Sequence, residues 1–277
     1  MTLTYKKPNR QKLGRHPIKA IVHIPHSSTR IPGQVRSQFV LSDSDLQGEM
    51  DRMTDWYTDE IFGGLAGTND VIFPVSRLVV DPERFEHDGQ EPMARLGMGV
   101  VYERGSSQAP LRRALSARER QGLIDDYYRP HHQALSSLTE KIIAGHGQCF
   151  ILDGHSFPLV PLLYELDQQL ARPEICIGTD AYHTPASLRD AAVELFNDAG
   201  FTTAVNHPFA GAMVPIDFYR ADKRVVALMI EVRRDLYMDE RNVEKLAGFN
   251  SVKRRIRNVI YKILDLTTAT LFHTHRD

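Results

Sequence analysis

The sequence predicts an α/β protein of three layers, αβα, with helices on both faces of a mostly parallel (mixed) central sheet. Three observations carry this. Short, β-branched apolar runs alternate along the chain with stretches of helical period. The runs are apolar on successive positions, as in strands buried on both faces. Several of them end at a polar loop that carries histidine or carboxylate, the place where open α/β sheets hold their ligands.

Residues 1–17 read as a loose basic arm. Residues 18–24 form a short apolar run that ends at Pro25-His26-Ser27-Ser28, a buried strand leading into a polar loop. Ser42-Asp43-Ser44-Asp45 offers N-cap residues. After it, Met50, Met53, Tyr57, Ile61 and Leu65 recur at helical spacing, so a helix is expected to continue to Leu65. Residues 71–75 and 78–80 read as strands or as one interrupted strand. Residues 116–145 read as helix, with Pro130 close to a break or kink. The strand at 150–152 ends at Asp153-Gly154-His155-Ser156, where Asp153-Gly154 suits a tight turn that presents the imidazole. The run at 175–177 ends at Gly178-Thr179-Asp180, and residues 185–199 read as a helix closed by Gly200. Residues 225–232 are the most strand-like run and carry one charge, Glu231. A long amphipathic helix is expected over 243–264, with a polar tail at 267–277. The longest irregular stretch is 81–110, and a loop of that length in a compact domain is usually functional or mobile. No linker or repeat divides the chain, so one domain is expected over 18–266.

Composition narrows the function. The 277 residues are 42% hydrophobic and 25% charged, with a net charge of −1. No overall field favours nucleic acid or an anionic membrane. The basic segments Arg112-Arg113 and Lys253-Arg254-Arg255 accompany no nucleic-acid recognition motif, and the second reads as the solvated face of a helix. The two cysteines, Cys149 and Cys176, sit in apolar runs and read as buried small hydrophobes rather than a disulfide. No secretory leader and no spanning apolar segment is read, so a cytoplasmic location is expected.

The chemistry collects at strand ends. His26 follows the first run, Asp81 and Arg84 follow 78–80, Asp153 and His155 follow 150–152, and Glu231 lies within the last run with Arg233 after it. Two histidines and a carboxylate are the donors of a catalytic zinc that keeps a fourth position for water. Such an ion polarises a carbonyl and acidifies its water, and a separate carboxylate takes the proton. Arginines would grip a substrate carboxylate in bidentate pairs. Each residue also has a structural alternative. His26 would serve equally as a loop residue satisfying backbone groups. Glu231 is either functional or one half of a buried ion pair with an arginine, since an unpaired carboxylate in an apolar strand costs several kcal/mol. His16, His273 and His275 lie in the tails and read as solvated.

The run His23-Ile-Pro-His-Ser-Ser-Thr-Arg-Ile-Pro32 resembles the opening motif of the N-formylglutamate amidohydrolase (deformylase) family. The resemblance continues through Met53-Thr-Asp-Trp-Tyr-Thr-Asp-Glu-Ile-Phe62, Ser76-Arg-Leu-Val-Val-Asp-Pro-Glu-Arg-Phe85 and Tyr128-Arg-Pro-His-His132. It closes with Leu152-Asp-Gly-His-Ser-Phe-Pro158, Asn206-His-Pro-Phe-Ala-Gly211 and Met229-Ile-Glu-Val-Arg-Arg-Asp-Leu-Tyr-Met238. Each piece is short, but their shared order covers about residues 18–265.

That family is similar in fold to the zinc carboxypeptidases, with a phosphorylase/hydrolase-like sheet, and to aspartoacylase-like deacylases. The resemblance implies one divalent metal, zinc by preference, on His26, Asp55 and His155, with Asp51 as the alternative to Asp55. It implies Glu231 as general base and Arg84 as the anchor for a substrate carboxylate; Arg77 near the long loop, Ser27 and Arg233 are the further substrate-binding candidates. The expected reaction is hydrolysis of N-formyl-L-glutamate to formate and glutamate. The alternatives are a deacylase or carboxypeptidase-like enzyme on another N-acyl amino acid, and a non-catalytic protein that binds acidic amino acids. Two departures bear on the substrate rather than on the metal. Ser28 stands where the family often has glycine, and Asp81-Pro-Glu-Arg84 replaces the family's Asp-Leu-Asn-Arg.

Overall fold

A computed structural model describes residues 20–271. The arm at 1–17, His16, His273 and His275 lie outside the described residues. In chain order the main elements are β1 (Ala20–Ile24), α1 (Gly33–Arg36), α2 (Asp43–Met53), α3 (Thr58–Phe62), β2 (Thr68–Ile72), α4 (Ala117–Leu123), α5 (Arg129–His146) and β3 (Cys149–Phe157). There follow β4 (Ile175–Gly178), α6 (Ala186–Asp198), β5 (Thr203–Val205), β6 (Val225–Arg233), the short β7 (Met238–Asp239) and β8 (Glu244–Lys245), and α7 (Phe249–Leu271).

The main sheet has six strands in the order β2-β1-β3-β6-β4-β5. β2, β1, β3 and β6 run parallel, β4 is antiparallel to β6, and β5 is parallel to β4. The expected mostly parallel, mixed sheet is therefore found. Strand alternation sorts its two faces. Val22, Ile24, Phe150, Leu152, Leu228 and Ile230 pack with α3, α6 and α7. Ile21, Cys149, Ile151, Val225 and Ala227 pack with α5 and with Val214 and Phe218. The segments after β1 and β2 build a further core from Phe39, Leu46, Met53, Phe73, Val75, Leu78 and Tyr102.

This alternation positions the site. On the α5 side the apolar positions near the start of each strand give way to polar ones near its end: His23 on β1, Asp153 and His155 on β3, and Glu231 on β6. All four are buried. In the parallel register His155 stands opposite Glu231, and His23 opposite Asp153.

Several local expectations are corrected. The helix expected to reach Leu65 is broken between Met53 and Thr58, with Tyr57 at φ 64°. A non-glycine residue there is uncommon, so the break is set by tertiary contacts rather than by a local breaker. Its anchors are the Tyr57 hydroxyl donating to Val243 O at 2.7 Å and the Trp56 indole donating to Asp51 O at 3.0 Å. Residues 78–80 form a buried turn rather than a strand. The 116–145 region is helical, but a π-helical turn at Ile124–Tyr128 precedes Pro130. The last helix begins at Phe249 rather than at 243 and runs to Leu271, because β8 takes Glu244–Lys245. Both cysteines are buried and free.

Asp153-Gly154 is not a tight turn, since β3 continues to Phe157. The glycine is required by packing instead: a Cβ at Gly154 would lie 2.7 Å from Cγ and Cδ2 of Phe62. Phe62 is fully buried on α3. Gly154→Ala is expected to destabilise the fold by ~1–3 kcal/mol through overpacking. Chemical denaturation checks this, and an unchanged midpoint would contradict it.

Candidate metal centre

His26 lies just past β1, and Asp55 lies in the break between α2 and α3. The two loops are joined by Asp55 N donating to His26 O at 3.0 Å. His155 is on β3. The structure brings these three buried side chains together as a group whose ligand atoms lie within 4.8 Å of one another. Asp55 Oδ2 is 3.1 Å from His155 Nδ1 and 3.6 Å from His26 Nδ1. Ligand atoms at 2.0–2.1 Å from a tetrahedral zinc are about 3.3 Å apart, so the spacing suits such an ion.

The remaining nitrogen of His26 is hydrogen-bonded in the way a metal-binding histidine needs, while that of His155 lies close to two carboxylates without a hydrogen bond to either. His26 Nε2 is 2.9 Å from Asp81 Oδ1, and its buried Nδ1 has no hydrogen-bond partner. His155 Nε2 is 3.1 Å from Asp153 Oδ1 and 3.1 Å from Glu83 Oε2. Burial works against the charged form of His155, yet the charges of Glu83 and Asp153 and the bond to Asp55 hold its imidazole well above the usual range. The surroundings thus favour positive charge at this point. Burial would raise the Asp55 carboxyl, but the bond from His155, the nearby His26 and the charge of Arg234 hold it well below the ordinary range.

Arg234, which the sequence reading did not single out, fixes this carboxylate. It donates from Nη2 to Asp55 Oδ1 at 3.0 Å, from Nε to Ser156 Oγ at 3.1 Å and from Nη1 to Arg52 O at 2.7 Å. Arg233 is not brought to the group: it is tied to Asp235 at 2.7 Å and to Arg172 O at 2.7 Å. Alternation favours Arg233 for the face of Glu231, but β6 ends at Arg233 and the following turn brings Arg234 inward. Asp51 also lies outside the group. It accepts from Gln47 Nε2 at 2.8 Å on α2, and because that helix ends at Met53 it shares no helical face with Asp55.

Glu231 is buried with Oε2 lacking any hydrogen-bond partner, and no ion pair reaches it among the described residues. Burial pushes its pKa from 4.5 up to about 8, with Asp55 and Glu83 adding to the rise and His155 and Arg234 opposing it. The arginine-paired alternative for this carboxylate is therefore not what the structure contains.

Asp81 organises the arginines. It accepts from Arg77 Nη2 at 2.9 Å and from the Tyr102 hydroxyl. Arg77 also donates to Tyr102, so its guanidinium is largely occupied. Arg84 is freer: its buried Nε has no hydrogen-bond partner, and Asp81 Oδ2 is 3.8 Å away. Ser27 is half-buried in the loop beside His26.

Fold and donor set together define a class: a three-layer α/β protein with a His–Asp–His group at the carboxyl ends of its parallel strands. The family model for N-formylglutamate amidohydrolase matches residues 18–238, and the chain belongs to that family. It is 25% identical over 236 residues to an N-formylglutamate deformylase of Pseudomonas putida, covering 82% of this chain and 84% of that one. The crystal structure of an N-formylglutamate amidohydrolase from Ralstonia eutropha JMP134 matches with a TM-score of 0.80 at 24% identity, over 92% of this chain and 96% of that one. A gene product of Agrobacterium tumefaciens matches with a TM-score of 0.60 at 20% identity, over 90% and 92% of the two chains. The chain is accordingly an amide hydrolase. No helix among the described residues is long and apolar enough to cross a membrane.

Proposed function

We propose that the chain hydrolyses the amide of N-formyl-L-glutamate to formate and glutamate, with one divalent ion, zinc, held by His26, Asp55 and His155. Zinc suits a donor set of two imidazoles and one carboxylate. When bound there, the ion supplies a polarised carbonyl and a water acidic enough to react near neutral pH.

The observation that carries the reading is Glu231, an unpartnered buried carboxylate one strand away from His155. Its Oε2 accepts the proton of the attacking water and returns it to the nitrogen of the leaving amine. Asp81 holds the His26 imidazole, Asp153 places its charge beside that of His155, and Arg234 holds Asp55. Arg84 receives the substrate carboxylate. Its planar fork suits that partner, and its Nε is not committed elsewhere.

One observation favours a second reading, a deacylase for another N-acyl amino acid. Glu83 carries a negative charge 3.1 Å from His155 Nε2, at the position where the family motif has a neutral amide. A substrate with fewer carboxylates fits that charge better. A panel of N-formyl, N-acetyl and N-succinyl amino acids on zinc-loaded protein separates the two readings. Fastest turnover of N-formyl-L-glutamate supports the first, and a clear preference for a neutral side chain supports the second.

Arg84→Lys keeps the charge but loses the fork. It is expected to raise KM for N-formyl-L-glutamate about tenfold or more, since one bidentate bond pair is lost. An uncharged N-formyl amide should be unaffected. Equal KM changes for both compounds would remove this role from Arg84.

A further inference from the structure

The motif Tyr128-Arg-Pro-His-His132 has no part in the reaction described so far. It spans the end of the π-helical turn and the first turn of α5. Such π turns are frequent near functional sites. From here three side chains reach the shell of residues around the metal centre. The Tyr128 hydroxyl donates to Arg84 O at 2.7 Å. His132 Nε2 lies 2.8 Å from Pro82 O, next to Asp81. His131 Nε2 lies 2.9 Å from His23 Nε2.

The last contact begins a continuous buried chain. His23 Nδ1 is 2.8 Å from Asp153 Oδ1, and Asp153 Oδ1 is 3.1 Å from His155 Nε2. Asp153 Oδ2 is taken by Met213 N at 2.8 Å. His23, Glu83 and Asp153 also have the composition of a second metal group. However, Asp153 and both nitrogens of His23 already have partners, so the chain reads as a hydrogen-bonded run from His131 to Asp153 that ends in a charge contact with His155, and not as a second cation site.

The directions of these bonds follow from valence. His23 Nδ1 faces a carboxylate and donates to it. In the tautomer with its proton on Nδ1, His23 presents Nε2 as an acceptor, and His131 Nε2 is then the donor. Asp153 Oδ1 lies 3.1 Å from His155 Nε2 as a charge contact, while His155 Nδ1 is the nitrogen hydrogen-bonded to Asp55 Oδ2 at 3.1 Å.

We propose that His131, resting on the metal-site reading above, is a positioning residue for the metal centre. Through His23 it fixes the Asp153 carboxylate that lies 3.1 Å from His155 Nε2, and so the setting of that ring. Tyr128 and His132 brace the Asp81 loop that serves His26 from the same helical turn. Direct partners of metal-ligating histidines typically change metal affinity by 10–100-fold when removed, and His131 acts on such a partner, so the lower end of that range is expected.

Two amide variants separate positioning from packing. The Nε2 of glutamine can reach the place of His131 Nε2, whereas the amide of asparagine stops near the place of Nδ1. Zinc affinity is measured by competition with a chromophoric chelator, and site geometry by the visible spectrum of the cobalt(II)-loaded protein. His131→Asn is expected to weaken zinc binding by about tenfold and to shift the cobalt spectrum. His131→Gln is expected to stay within a few-fold of wild type. Wild-type zinc affinity in His131→Asn, or equal weakening in both variants, would overturn the proposal. A melting temperature lowered in both with zinc affinity unchanged would assign His131 to packing alone and overturn it too. Absence of stoichiometric zinc from the wild-type protein would instead overturn the metal reading itself.

Discussion

Replacing Glu231 with glutamine is expected to lower kcat by about two to four orders of magnitude while leaving zinc content unchanged. Glutamine nearly matches glutamate in shape but cannot take a proton. Substrate should still bind, because Arg84 and the metal ligands are untouched. The stability outcome separates this role from a structural one. A buried ion-pair partner would cost ~3–5 kcal/mol on removal. Glu231 has no such partner among the described residues, and its burial is a liability in the metal-free protein. Its folded pKa is about 8 against an ordinary 4.5. The contribution of this group to stability is therefore full below about 4.5 and declines as pH rises toward 8, because the unfolded chain releases a proton that the folded chain must keep. Glu231→Gln removes that decline, so the metal-free variant should melt at or above the wild-type temperature at neutral pH. Melting curves paired with single-turnover kinetics test both halves. A large loss of melting temperature with little loss of rate per folded molecule would mark Glu231 as structural.

Replacing His26 or His155 with alanine is expected to abolish stoichiometric zinc and, with it, activity, since each removes one of three protein donors. Asp55→Asn should weaken zinc strongly, while Asp51→Asn should not, because Asp51 bonds Gln47 outside the group. Metal analysis of the purified variants checks all four. Full zinc retention in both histidine variants would contradict the ligand set, and loss of zinc in Asp51→Asn alone would move the carboxylate back by one helical turn.

Most of the sheet was legible because β-branched apolar runs mark buried strands whatever their partners. β1, β4 and β6 fall where those runs are, and the polar residues after them or at their ends converge as sheet topology requires. The direction of β4 was not legible, since an apolar run of its length reads the same way parallel or antiparallel. The continuation of β3 through Asp153-Gly154-His155-Ser156 was hidden by composition. An Asp-Gly step resembles a turn, and only the nearness of Phe62 shows why glycine is needed in a strand there.

The break between α2 and α3 was invisible for the opposite reason. Residues 54–57 contain neither glycine nor proline, and the helical spacing of Met53, Tyr57 and Ile61 runs through it. That break moves Asp55 to the sheet edge beside the two histidines and leaves Asp51 on α2. The histidines and Glu231 stood out because each is a polar residue in or beside an apolar run. Arg234 did not, because its role depends on where β6 ends. His23 and His131 did not either, because their partners are more than 100 residues away in the chain.

The most direct test follows formate release from N-formyl-L-glutamate by the wild-type protein as zinc is removed with a chelator and then returned. One zinc per chain is expected, with activity lost on removal and restored on its return. Formate release that continues undiminished in protein shown to be free of metal would contradict a zinc centre on His26, Asp55 and His155.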